Sequence, residues 1–163
     1  MLTKNFYSYI RAVFQDISAA FVQTDGTAVS RPYYKADNPF VIMKKWAASI
    51  STAGVSFGTG TTPATASDYV IESILDNTQI SVSTPSAVSF SRVDTYDEYS
   101  VTFGITNKTA EAITISEVGL TACPNTGGSP YPFTLVDRTV LDNPVTIPAG
   151  QSKQITYTIR FNY

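Results

Sequence analysis

The tightest constraint lies near the end of the chain, in residues 144–161. There Ile155, Tyr157, Ile159 and Phe161 alternate with Thr156, Thr158 and Arg160. A period of two puts one set of side chains on one face, so this is a strand with one side buried. Pro148-Ala149-Gly150 stands between Val145-Thr146-Ile147 and that strand. Proline presets φ and glycine supplies a positive one, so the tripeptide is a turn. The chain runs out soon after Phe161, and this strand is expected to close a sheet.

From residue 79 the same logic repeats. Gln79–Ser83 and Ala87–Val93 flank Pro85, and Glu98–Ile105 alternates with Tyr99, Val101, Phe103 and Ile105 on one face. Asn107–Glu111 reads as a turn, Ala112–Ile115 starts a strand, and Val118–Thr121 continues it. Gly119 there allows a bulge or a close backbone approach. Pro124–Pro132 is a Gly- and Pro-rich loop, and Phe133–Leu141 is a further strand. Strands at about ten-residue spacing with turn chemistry between them define a mainly β chain, an antiparallel β-sandwich of Ig-like or jelly-roll-like type. With 163 residues, 43% of them hydrophobic, there is enough chain for one domain with a sizeable core.

The N-terminal stretch reads differently. Thr3 suits an N-cap, and Phe6, Ile10, Val13, Phe14 and Ile17 recur at helical spacing, so residues 3–22 are predicted helical. Thr24-Asp25-Gly26 marks the latest end of that helix. Residues 1–22 are thus a helix or arm, either folded onto its own sheet or docked on a neighbouring subunit. Residues 23–163 form one sandwich domain. Phe6, Tyr7, Ile10, Val13 and Phe14 are candidate subunit contacts, together with Tyr33 and Tyr34 in a surface loop at 23–39. Phe40–Ile50 is ambiguous: Phe40–Met43 suits a buried strand, Lys44–Ala48 a helix, and Trp46 is a core residue. Val55–Pro63 is a short strand entering a Gly/Thr/Pro loop, followed by a helical turn over 66–72 capped by Ser67.

Composition narrows the chemistry. With no histidine, the commonest general base and metal ligand is missing. The single cysteine, Cys123, cannot form an internal disulfide or a thiolate cage, and reads as a small buried apolar residue. A net charge of −2, with only 15% charged residues, offers no basic footprint for nucleic acid or an anionic membrane. No stretch approaches the roughly 20 apolar residues of a membrane span, and polar residues interrupt any signal peptide. Synthesis in the cytoplasm is the expectation.

Asp94, Asp97 and Glu98 are the densest carboxylate group, either a partial calcium site or a solvated turn. Asp137 and Arg138 are expected to point away from the core or to pair with a neighbour. The Gly58-Thr59-Gly60 loop lacks the Lys-Ser/Thr and the third glycine of nucleotide-binding loops. Tyr33, Tyr34, Tyr96, Tyr131 and Tyr163 could present ring faces to a sugar. No catalytic, metal-binding or cofactor-binding residue is predicted.

One resemblance adds to this. Ile105-Thr106-Asn107, Ile113–Leu120, Leu135–Leu141 and the closing Pro-Ala-Gly turn and strand resemble structural proteins of tailed bacteriophages. Val55–Tyr69, with Gly-Thr-Gly-Thr-Thr-Pro and Ser-Asp-Tyr, is similar to the loop that precedes those strands in the same group. The resemblance implies a non-enzymatic virion protein, without cofactors, that assembles with copies of itself and other virion proteins in the tail, neck or baseplate. A glycan- or receptor-binding module on a fibre or the capsid surface is the alternative, with a host glycan as partner.

Overall fold

The computed structural model describes residues 1–8, 19–31, 45–85, 88–123 and 133–162. They form nine strands: β1 (Ala19–Val22), β2 (Ala28–Arg31), β3 (Gly54–Gly58), β4 (Ile80–Val82), β5 (Ser89–Val93), β6 (Tyr96–Asn107), β7 (Ile113–Ala122), β8 (Thr134–Ile147) and β9 (Ser152–Asn162). One sheet has the order β3-β7-β8; in the other β6 pairs with β4 and β5 on one side and β9 on the other. Every pairing is antiparallel. The fold is mainly β, with the two sheets packed as a sandwich.

The alternation in the sequence supplies the core. Val101, Phe103 and Ile105 of β6 and Ile155, Tyr157 and Ile159 of β9 turn inward, meeting Val55 and Phe57 of β3 and Ile115, Val118 and Leu120 of β7. The rings of Phe57 and Phe103 join the layers edge to face, with centroids 5.4 Å apart. The Pro148-Ala149-Gly150 turn carries the chain from β8 in one sheet to β9 in the other, with Gly150 at φ 69°. Pro144 sits within β8 where the β7–β8 register breaks, between Val145 opposite Ile115 and Val140 opposite Glu117, so the ladder has no partner for its missing N–H.

The predicted N-terminal helix is corrected at its far end. Residues 4–8 are helical, 9–18 lie outside the described residues, and 19–22 form β1. The turn at 24–26 therefore joins a hairpin instead of ending a helix: Asp25 Oδ1 accepts from Thr27 N (2.8 Å), and β1 pairs with β2. Strand pairing gives Phe21 a buried place and overrides the helical spacing. The same hairpin puts a strand at Ala28–Arg31, inside the stretch read as a surface loop. Thr3 does not cap with its side chain, because its hydroxyl donates to Leu135 O (2.5 Å).

Residues 1–8 belong to this body. Leu2 bridges to Asp137 on β8, and Thr3 N donates to Val136 O (3.1 Å). Asn5 grips Val22 through both its amide atoms and also reaches Leu135 O. Residues 45–47 run extended beside β3, with Trp46 bridging to Val55, so the helical reading of Lys44–Ala48 fails there. Trp46 packs against the core as expected, while Cys123 is only half-buried.

The cross-layer contact sets a clear expectation. Phe103→Ala removes a fully buried ring at the centre of both sheets and should cost about 3–5 kcal/mol of stability, read from urea denaturation followed by circular dichroism.

Candidate functional site

The most concentrated polar chemistry lies between β7, β8 and the long loop joining β3 to β4. Glu117 on β7 is fully buried and Arg138 on β8 is 3% exposed. Charges this deep must be paired and hydrogen-bonded. Glu117 Oε2 accepts from Arg138 Nε (2.9 Å) and from Glu72 N (3.1 Å), while Oε1 accepts from Gly60 N (3.0 Å) and Ser73 N (2.7 Å). One carboxylate thus supplies the acceptors for three amides of an otherwise irregular loop.

Arg138 completes the clamp. Its Nη1 donates to Asp68 (2.8 Å), and its Nη2 to Thr62 O (3.1 Å) and Glu72 (3.2 Å). Here the glycines of the Gly-Thr-Gly loop have their physical reason. A Cβ at Gly58 would stand 2.6 Å from Glu117 Oε1, and one at Gly60 closer still. The anion these loop amides cradle is the chain's own carboxylate.

Glu117 occupies an irregularity in the β7–β8 ladder, where the register shifts between Ile115 and Glu117. The predicted Ser67-capped turn is a different motif. Asp68 accepts from Thr65 N (3.0 Å) and Thr65 Oγ1 (2.7 Å), and Ser67 Oγ takes a bond from Lys4 Nζ (3.2 Å). Burial pushes the Asp68 carboxyl up, but the bonds from Thr65 and Arg138 outweigh it and hold its pKa below the usual value. The backbone and hydroxyl of Thr62 lower Glu72 in the same direction. Arg138 is raised, with its bonds to Asp68 and Glu117 overcoming desolvation.

Above this clamp lies a pocket of about 310 Å³, lined by Thr62, Ser67, Asp68, Tyr69, Glu72 and Arg138 among others. Tyr69 is 41% exposed at its wall. One residue before Arg138 on β8, Asp137 is buried together with Tyr157 of β9, whose hydroxyl donates to Asp137 Oδ2 (2.8 Å). Burial and the Asp137 charge raise the Tyr157 hydroxyl well above its ordinary value. Asp137 and Arg138 therefore each pair with a neighbour, as one alternative held, Asp137 with Tyr157 and Arg138 with Glu117, and both do so inside the protein.

At one end of the sandwich the rings of Tyr7, Phe6, Phe161, Tyr99 and Phe90 run in series, with successive centroids 5.7, 5.8, 6.1 and 5.1 Å apart. Phe6 is buried, but the two ends of the series, Tyr7 and Phe90, are 60% and 52% exposed. Of the predicted subunit contacts, Phe6 is thus a core residue and Tyr7 an exposed one. Ile10, Val13, Phe14, Tyr33 and Tyr34 lie outside the described residues.

The carboxylate group at 94–98 does not converge. Asp97 takes a two-pronged bond from Arg92 (2.7 and 2.8 Å), and Glu98, the next residue on the strand, pairs with Arg160 (2.7 Å). Among the described residues no three carboxylates or thiols come together as a metal site, and no helix is long and apolar enough to cross a membrane. Of the sugar-binding tyrosines, Tyr96 has Arg160 over its ring at 4.2 Å; Tyr33, Tyr34, Tyr131 and Tyr163 lie outside the described residues. Glu117 went unread in the sequence. Its signal was an acid inside the apolar run Ile-Ser-Glu-Val-Gly-Leu, matched by Asp-Arg inside Leu-Val-Asp-Arg-Thr-Val. Compared with known proteins, the chain matches no family model, no curated protein and no solved structure.

Two outcomes follow for the clamp. Glu117→Gln and Arg138→Met should each cost up to about 3–5 kcal/mol, since either breaks a buried ion pair that Arg138's bonds to Asp68 and Glu72, or Glu117's three amides, compensate only in part. Replacing both by Leu and Met should not restore the wild-type value, because three loop amides still lose their acceptor. Urea titrations of the four proteins read this out. The second outcome concerns acid. The Asp68 pKa is lower folded than unfolded, so its contribution is complete above the ordinary carboxylate range. It fades as pH falls below about 4, and Asp68→Asn should flatten that limb of the stability–pH curve.

Proposed function

We propose that this chain is a non-enzymatic structural protein of a tailed-bacteriophage virion, acting in the tail, neck or baseplate by burying surface against copies of itself and other virion proteins. The observation that carries the reading is the aromatic series from Tyr7 to Phe90. It continues the core outward to two exposed rings. Aromatic rings joined to a rigid core are the residues protein interfaces favour, because they bring large area at little entropic cost. The resemblance of residues 105–107, 113–120 and 135–141 to phage structural proteins supplies the setting. In this reading the protein is made in the host cytoplasm and resides in the virion, with no nucleic acid, membrane or cofactor as partner.

A second reading has its own observation. The pocket beside Tyr69 pairs an exposed ring with hydroxyls and carboxylates, a combination that suits a host glycan through stacking and hydrogen bonding. The two readings separate cleanly. Tyr7→Ser with Phe90→Ser should leave a folded protein whose incorporation into particles falls by about tenfold or more, since a single interface anchor worth about 1.4 kcal/mol is already a factor of ten. Tyr69→Ala should leave incorporation unchanged. Normal incorporation of the double variant, or particles that assemble but fail to adsorb when Tyr69 is lost, would favour the glycan module. Quantitative immunoblotting of purified particles and an adsorption assay provide both readings.

A further inference from the structure

Among the described residues the two main sheets end in four edges, and three of them are protected. Residues 45–47 and Ile74 flank β3. On the opposite layer the edge facing that side is broken into β4 and β5, three and five residues long, with Pro85 between them. Along β8, Pro144 interrupts the ladder and Leu2 covers Asp137. Short strands, proline and covering segments are the usual means of keeping an edge from pairing with another chain.

Among the described residues β9 lacks these devices over Ser152–Ile159, and only near its end, where Phe161 stacks on Phe6 at 5.8 Å, does the N-terminal segment come beside it. The strand spans eleven residues, Ser152–Asn162, pairs with β6 on one side through an unbroken register and carries no proline or bulge. Its outward backbone can be assigned. Asn107 N donates to Gln151 O (3.0 Å), so that pair is of the hydrogen-bonded kind. Antiparallel pairs alternate, hence Lys153, Ile155, Tyr157 and Ile159 exchange bonds with β6. On β6, Gly104 agrees, because its N–H and C=O turn the other way, to Ser83. Ser152, Gln154, Thr156, Thr158 and Arg160 therefore aim their N–H and C=O groups away from the sheet, and their side chains are all exposed.

We infer that this edge is where a second copy of the chain adds its own β9, antiparallel, about a two-fold axis near the strand midpoint. The inference rests on the assembly role proposed above and assigns it a surface. The strand is self-complementary about that axis. Thr156 meets or neighbours its own copy, and Gln154 lies by the second copy's Thr158. A hydroxyl ladder already crosses β6 and β9, pairing Ser100 with Thr158 (2.7 Å), Thr102 with Thr156 (2.8 Å) and Thr106 with Ser152 (2.6 Å). Self-pairing continues it into the next subunit, and such cross-strand hydroxyl pairs are favourable. Charge does not oppose it. Arg160 is held by Glu98 (2.7 Å), and with Thr156 on the axis Lys153 falls opposite the second copy's Ile159, not its Lys153. Two sandwiches then share one continuous sheet, an isologous contact.

The test uses the full chain. Sedimentation equilibrium should show a weak, concentration-dependent dimer, as a small strand-to-strand contact implies. Thr156→Pro removes an outward N–H and the exposed hydroxyl bond to Thr102, so the fold should persist with a modestly lower urea midpoint while dimerisation weakens by about tenfold or more. Thr156→Glu and Thr156→Lys should each be monomeric and should form a heterodimer when mixed. These two keep the test decisive if the proline variant misfolds. A wild-type protein that stays monomeric, a dimer indifferent to all three substitutions, or cross-linking that places a different protein's strand beside β9 overturns the inference. Particle incorporation is scored separately. A monomer that still enters particles removes the self-pairing alone, whereas a dimer never found in particles removes the virion role alone.

Discussion

A carboxylate buried between two strands organises this protein more than any other single contact. Glu117 stands fully enclosed on β7, where an ionised group survives only if every oxygen is occupied. It achieves this by taking bonds from three loop amides and from Arg138. The consequence runs in both directions. The loop after β3 needs an acceptor for its backbone, and the carboxylate needs donors in the core. Neither arrangement is stable without the other, so the pair converts a long irregular connection into part of the wall of the sandwich.

Several other features become intelligible once that clamp is in place. Gly58 and Gly60 carry no side chain because the carboxylate occupies the space a Cβ would take. Asp68 and Glu72 approach Arg138 from the loop, so the guanidinium serves strand and loop together. The N-terminal segment then reaches the same region, with Lys4 N bonded to Ala66 O (2.8 Å) and Thr3 N to Val136 O. Polar chemistry in this part of the molecule is directed inward. Among the described residues the exposed features with interaction potential are of another sort: aromatic rings at one end and an unpaired strand edge along one side.

The strands that alternate were legible from the sequence, because a period of two survives any tertiary context in which one face is buried. Val101, Phe103 and Ile105 or Ile155, Tyr157 and Ile159 are unmistakable for that reason. Ala19–Val22 was not legible as a strand. Its preceding helical spacing is genuine locally, and the decision belongs to a hairpin partner several residues away. The Glu117–Arg138 pair was hidden for a related reason. Two charged residues inside strands look like outward-facing positions until the register shift at Glu117 and the returning loop are known. The open edge of β9 could not be read at all, since an edge is defined by which neighbours a strand lacks.

The central claim is that the loop from Gly60 to Ser73 is part of the folded core by virtue of Glu117. Native-state hydrogen exchange on the unmodified protein tests it most directly. The amides of Gly60, Glu72 and Ser73 should exchange only through global unfolding, with protection matching that of Phe103 and Tyr157. Exchange of these three amides at the rate of a solvent-exposed loop, while the strands stay protected, would contradict the account.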